Sequence, residues 1–263
     1  ELQDPTCVHW IEGAWKGTRK PRPAELREKG AWWKEVSQAM DIPIRTLAGY
    51  EADDILGTVA KKMAARGVEV SVVSGDRDLL QLADERIKIR IPKTSRGATE
   101  VHDYYPEDVK REYQVTPAEF IDVKALMGDS SDNIPGVPSI GEKTATAIIA
   151  AYGTIENAYA HLEEIRPPRA KKALEEHYDM AQMSKELATT RTDAPVDFSY
   201  EDAKVGTLYT PQAYQFMNRP EFKSILTRFA AGARGETALT SLFRFGRSRL
   251  AVHESAGTRL GAR

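Results

Sequence analysis

The sequence predicts an α/β fold, a parallel sheet flanked by helices, that passes into a helical second half. Three observations carry this. A helical pattern from Glu51 to Arg66 lies between two β-prone runs, Ile42–Leu47 and Val68–Val73. Arg86 to Ile91 alternates apolar and charged side chains as a half-buried strand does, and from Pro106 onward nearly every segment reads as helix.

Residues 1–14 show no clean period, and Lys16 to Arg22 is a basic run broken by Pro21 and Pro23. Ala24 to Met40 follows as an amphipathic helix in which the adjacent Trp32 and Trp33 cannot share a face, so one is expected in the core and the other exposed. Ile42–Leu47 reads as a short strand, and the helix from Glu51 ends at Gly67, a residue type that closes helices with positive φ. Val68–Val73 is the β-branched run that a buried parallel strand needs. Strand, helix, strand in this order implies a right-handed βαβ unit. Thr99–His102 is the expected hairpin partner of Arg86–Ile91 across a turn at Gly97.

The chain of 263 residues is 41% hydrophobic, enough to bury a substantial core, and its formal net charge of −2 offers no overall basic excess. A nucleic-acid partner therefore has to be held by local patches. The single Cys7 excludes an internal disulfide. His9, His102, His161, His177 and His253 make no zinc-type spacing with it. No apolar run is long enough to span a bilayer and the start lacks the layout of a signal peptide. A cytoplasmic monomer without a membrane partner is expected.

Seven carboxylates fall in three tight groups: Glu51, Asp53 and Asp54; Asp76 and Asp78; Asp129 and Asp132. Two like charges about 4 Å apart repel by roughly 4 kcal/mol at an intermediate dielectric, so a fold that gathers several of them calls for cations. Oxygen-only ligands suit Mg²⁺ or Mn²⁺, two or more of them here, and paired hard cations are common machinery for phosphodiester hydrolysis. Each group also has a plainer role open to it: a helix cap at Glu51, a turn acid at Asp76, an N-cap at Asp129 or Asp132.

The second specific pattern is NIPGVPSIGEKTATAIIAAYG, Asn133 to Gly153. Gly136 and Gly141 permit backbone that bulkier residues resist. Gly141 opens a helix whose Ala145, Ile148 and Ile149 face a core, and its free amides beside Lys143 and Thr144 form a phosphate cradle. Such a hairpin between helices grips a nucleic-acid backbone without reading sequence. A Gly/Pro loop between packing helices is the alternative.

Four segments, WKGTRKPRP, GYEADDILGTVA, VVSGDRDLLQL and LMGDSSDNIPGVPSIGEKTA, occur in the order found in the 5′→3′ exonuclease and flap endonuclease family. Residues 15 to about 229 resemble the 5′ nuclease domain of bacterial DNA polymerase I. The resemblance implies a PIN-like α/β domain over 1–110, with the remnant of a helical arch at about 9–40. A helix-hairpin-helix (H3TH) DNA-binding subdomain over 111–229 and a tail or linker over 230–263 would follow. It further implies a structure-specific 5′ nuclease of replication and repair, acting on 5′ flaps or duplex/single-strand junctions, with all seven acids as metal ligands. Gly136, Gly141, Lys143 and Thr144 would touch DNA, and Lys16 and Arg19 would meet the scissile phosphate; a solvated loop is the other reading of these two. A K⁺ ion held by carbonyls around Ser131, Ile134, Val137 and Ile140, and a polymerase domain in cis, are also implied.

Two departures qualify the resemblance. Aligning Pro5, Thr6 and His9 with the family's Pro-Thr and His puts Glu1 near its second acid and Val8 where an Arg is usual, and leaves no counterpart of the first acid-bearing strand. The chain is thus expected to be N-terminally truncated, its strand edge exposed, its catalysis weak or absent and its affinity for branched or duplex DNA retained. Residues 230–263 lack Lys altogether and are rich in Arg, Gly and Ala. They read either as a basic disordered tail or as a frame-shifted or linker segment.

Overall fold

The computed structural model describes residues 24–95, 98–206, 208–219, 222, 225, 226 and 229. Helix α1 (Ala24–Ala39) runs into a turn at Asp41, which takes a positive φ of 56°. Ile42–Leu47, expected as a strand, is irregular. Pro43 has no amide to donate, and Ile42, Pro43, Arg45 and Thr46 are exposed, so neither a ladder nor burial favours extension there. The expected strand–helix–strand unit is corrected accordingly. Helix α2 (Ala52–Ala64) leads through Gly67, at φ +83°, into β1 (Val70–Val73).

The parallel crossover instead runs from β1 through a 3-10 helix (Arg77–Leu82) to β2 (Ile87–Ser95), with Val72 opposite Ile89. Strand β3 (Ala98–Tyr104) returns antiparallel, pairing Ile91 with His102, so the described sheet is mixed, in the order β1-β2-β3. Strand β1 is only half covered, contrary to the buried strand expected: Val72 is buried while Val73 is 61% exposed.

The helical half contains α3 (Pro106–Tyr113), α4 (Pro117–Met127), α5 (Glu142–Tyr152), α6 (Ile155–Ala160), α7 (Pro168–Glu176) and α8 (Tyr178–Ala188). Thr116 starts α4 with a reciprocal capping box: its hydroxyl accepts from the Glu119 amide and the Glu119 carboxylate accepts from the Thr116 amide. One apolar core runs unbroken from Leu79 and Leu80 through Ile87 and Ile89 to Phe120, Leu126, Ile149 and Leu174. Sheet and helices therefore share a single interior. A separate cluster joins α1 to α9 (Pro211–Met217) through Val36, Phe216 and Met217, where Trp32 meets the Phe222 ring edge-on at 6.1 Å. Trp33 on the next position is 73% exposed, the division expected for the pair.

The turn after α4 is fixed by two glycines. Gly128 (φ +74°) and Gly136 (φ +65°) pass so closely that a Cβ on Gly136 would lie 2.4 Å from the Gly128 amide nitrogen. The Gly136 amide donates to the Ser184 hydroxyl of α8 (3.1 Å). Gly141, grouped with Gly136 on sequence grounds, has no such need: its φ is −96° and a Cβ there would meet nothing within 4 Å.

A polar strut holds α4, α6 and α8 together. The Lys185 ammonium is 2.7 Å from Asp122, which is buried, and 3.0 Å from Glu156, while Asp122 accepts the Ile155 amide at the start of α6. Burial opposes ionisation of Glu156, but its own backbone amide, Lys185 and Gln182 outweigh it and hold the carboxyl at about 2. Asp122 is pushed up by burial, against the pull of Lys185.

Two outcomes follow. Gly136→Ala should lose about 3 kcal/mol or more of stability in urea melts, since both the positive φ and the Gly128 contact resist a side chain. Because the folded pKa of Glu156 is depressed, its contribution is present above the unfolded value near 4.5 and disappears as pH falls through about 2. Glu156→Gln should accordingly be less stable at neutral pH, by about 0.5–1 kcal/mol because the pair is half exposed, and the difference should shrink through acid denaturation until it vanishes below a pH of about 2.

Candidate metal centre

Strand β1 ends two residues before Gly75, and the chain turns at Asp76 into the 3-10 helix. The Asp76 carboxylate accepts the Asp78 amide (2.9 Å) and its own amide donates to the Ser74 hydroxyl, so Asp76 caps this turn and is itself exposed. Asp78, one step in, points at the loop that follows α4. There Asp129 pairs with Ile134 through two backbone hydrogen bonds of 2.9 and 2.8 Å, closing a tight loop over Ser130 to Asn133. That loop places Asp132, which is buried, beside Asp129.

One carboxylate oxygen from each of Asp78, Asp129 and Asp132 lies within 4.8 Å of the other two. Among the described residues this is the acidic group compact enough to hold an ion, and its donors are all oxygen. A basic side chain sits against it. The Lys124 ammonium, on α4, is 2.9 Å from Asp78 Oδ1 and 2.5 Å from Asp129 Oδ2. The other Asp129 oxygen accepts the Ser131 amide (2.7 Å) and hydroxyl (2.6 Å).

These contacts separate the two aspartates electrostatically. Burial pushes the Asp78 carboxyl up, and the charges of Asp76 and Asp129 add to it, against the pull of Lys124. Burial also works against Asp129, but the hydrogen bonds from Lys124 and Ser131, with the charge of Lys124, prevail and hold it at about 2. Lys124 is moved down by burial and up by both aspartates, with a net rise that keeps it charged.

The acids of α2 form a different arrangement. Glu51 is the N-cap, joined to Asp54 in a capping box, and Asp54 Oδ2 accepts the Glu51 amide (3.0 Å). Asp54 Oδ1 accepts the Arg191 amide (2.9 Å) from the segment that leaves α8, and Asp54 is only 2% exposed. Asp53 is half-buried on the same first turn. These three lie outside the compact group of Asp78, Asp129 and Asp132. The link between the groups is Gln81: its amide nitrogen donates to the carbonyls of Asp78 (2.9 Å) and Ala188 (3.0 Å), and its oxygen accepts the Thr190 amide (2.9 Å). Gly57 gives the returning chain room, since a Cβ there would touch the Thr190 side chain at 3.1 Å and the Arg191 carbonyl at 3.3 Å.

The hairpin begins where the compact group ends. Val137 and Ile140 are buried, Gly141 is the N-cap of α5 with no side chain capping the first turn, and Lys143 is exposed with Thr144 half-buried beside it. Arg169 of α7 donates to the Ser139 hydroxyl (3.0 Å), adding a second cation to this surface. Lys16 and Arg19 lie outside the described residues. Sequence reasoning did not single out Lys124, Gln81, Arg169 or the backbone of Arg191. Lys124 had a signal, a cation beside Asp122 in the otherwise apolar stretch from Phe120 to Leu126, five residues before Asp129.

Comparison with known proteins agrees with this layout. A family model described as the 5′-3′ exonuclease N-terminal resolvase-like domain matches residues 3–114, and one described as the 5′-3′ exonuclease C-terminal SAM fold matches residues 115–210. DNA polymerase I of Bacillus caldotenax is 47% identical over 197 residues, covering 75% of this chain and 22% of the relative. DNA polymerase I of Bacillus subtilis (strain 168) is 42% identical over 223 residues, covering 85% of this chain and 25% of the relative. The chain thus spans about a quarter of the length of these curated relatives. A bacteriophage T5 flap endonuclease, solved as a pseudo-enzyme–product complex with DNA and metal ions, is similar with a TM-score of 0.58 at 21% identity, over 87% of this chain and 80% of that one. At that identity the likeness is one of fold.

The clamp on α2 is directly testable. Asp54→Ala removes a buried charged acceptor from two amides, so stability should fall by about 2–3 kcal/mol. Hydrogen exchange at the Arg191 amide should accelerate, while the Ala194 amide, bonded to the Thr58 hydroxyl, should keep its protection. Unchanged exchange at Arg191 would show that Asp54 does not hold the returning segment.

Proposed function

Because the chain belongs to the 5′-3′ exonuclease family, we propose that it hydrolyses DNA phosphodiesters near 5′ ends, at flaps or junctions of single-stranded with duplex DNA, using divalent cations. The observation that carries this reading is that one short loop, Gly128 to Gly141, supplies two members of the compact aspartate group and then becomes the hairpin. A backbone gripped by that hairpin is therefore held at a fixed offset from the acids.

The donor set fits a hard cation: three carboxylates, no nitrogen or sulfur, partly shielded from water. An Mg²⁺ or Mn²⁺ ion on Asp78, Asp129 and Asp132 would acidify water and offset charge on the phosphate. We assign Glu51, Asp53, Asp54 and Asp76 to the surroundings of a further cation; Gln81 supports this by tying the segment that holds Asp54 to the turn that carries Asp78.

The chain's own residues bind and orient. The uncapped first turn of α5 at Gly141, with Lys143 and Thr144, offers donors to a phosphate of the duplex, and Gly136 lets the loop approach closely. Lys16 and Arg19 would bring positive charge to the scissile phosphate. A K⁺ ion near Ser131, Ile134, Val137 and Ile140 would use carbonyls of which Ile134 and Val137 each already accept one amide, leaving a second lone pair. A polymerase domain in cis and a monomeric state complete the proposal.

A 5′-labelled flap incubated with the chain and Mn²⁺ should be cut, and Asp78→Asn or Asp132→Asn should abolish cutting while binding of the same DNA changes by no more than a few fold. Cutting that persists in chelator would overturn the metal reading. Binding without cutting in every metal tried would leave the chain a module that grips branched DNA.

A further inference from the structure

We infer that Lys124 is a resident counter-cation of the aspartate group, a positioning residue that shares Asp78 and Asp129 with the divalent ion and lowers the affinity of the group for it. The inference rests on the proposed metal reading of Asp78, Asp129 and Asp132 and adds a component that sets its strength. Lys124 is a lysine with 8% of its surface exposed, in a helix whose neighbouring positions Val123, Ala125 and Leu126 are core. Burying an ammonium is costly without partners, so its location is decided by the acids it meets.

Two features define its role. The ammonium reaches across from α4 to two separate elements, the turn after β1 at 2.9 Å and the loop after α4 at 2.5 Å, and so pins the two carboxylates that no backbone hydrogen bond joins directly. The ammonium also meets two of the three carboxylates with opposite charge, so the group converges with less repulsion than its acids would feel without it. A carboxylate oxygen already engaged by an ammonium donates less to an incoming cation, and the two positive charges repel within a partly dry site. Lys124 therefore lets the acids converge during folding and keeps ion binding reversible.

Mn²⁺ binding to the full chain, followed by electron paramagnetic resonance of the free ion, tests this. Asp132→Asn identifies which bound ion belongs to the group, because that class of site should be lost. Lys124→Met should tighten this class by roughly tenfold or more, and Lys124→Gln should do the same, while Lys124→Arg, which keeps the charge, should stay near the parent. In chelator the neutral variants should melt below the parent, and Mn²⁺ should raise their melting temperature by more than it raises the parent's. Equal or weaker binding in both neutral variants overturns the inference and leaves the metal reading intact. No Mn²⁺ bound by the parent at this site overturns both.

Discussion

The close contact between the backbones of Gly128 and Gly136 is the constraint on which the site depends. A Cβ on Gly136 would lie 2.4 Å from the Gly128 nitrogen, and one on Gly128 would lie 2.8 Å from the Ile134 carbonyl oxygen and 2.9 Å from the Gly136 nitrogen. With both glycines the chain leaving α4 folds back on itself within eight residues, and the loop between them has room for only one course. That course puts Asp129 at the mouth of the loop, Asp132 inside it and the start of the hairpin beyond it. Ser184 and the apolar contacts of Ile134 with Leu187 and Ala188 then fasten the loop to α8. Steric closeness thus sets Asp129 beside Asp132, and Lys124 joins Asp78 to them.

Having been brought together, the acids are managed by different means. Asp76 and Glu51 cap the starts of helical turns, where unpaired amides welcome negative charge. Asp54 accepts two amide hydrogen bonds, one of them from far away in the chain. Asp78 and Asp129 rely on Lys124, and Asp129 on Ser131 as well. Caps are satisfied by fixed dipoles and hold their geometry whatever the solvent contains. The aspartates around Lys124 are held by a side-chain charge that another cation can challenge.

Much of this was legible in the chain itself, for identifiable reasons. Val68–Val73 and Arg86–Ile91 announce themselves because β-branched and alternating patterns favour extension, although β1 starts at Val70 and buries only Val72, and α5 does so because Ala145, Ile148 and Ile149 keep a helical period. Ile42–Leu47 misleads because β propensity says nothing about whether a neighbouring strand exists, and Pro43 is an overlooked veto. The acidic groups stand out as groups, but their sequence spacing gives Glu51 and Asp78 the same weight, whereas among the described residues space unites Asp78 with Asp129 and Asp132. Gly136 and Gly141 look alike as letters, and only the φ angles and the neighbouring atoms tell them apart. The Arg191 amide has no signature at all, because every residue but proline owns one.

The bonds that fix the α2 acids have a temporal consequence. Gln81 reaches Ala188 and Thr190 across separations of 107 and 109 residues, and Asp54 reaches Arg191 across 137. During synthesis from the N-terminus, α2 and the turn at Asp76 emerge from the ribosome while their fasteners are still untranslated. The acidic centre therefore reaches its final geometry only after the helical half has been made and packed, so until then a nascent chain carries these carboxylates unaligned.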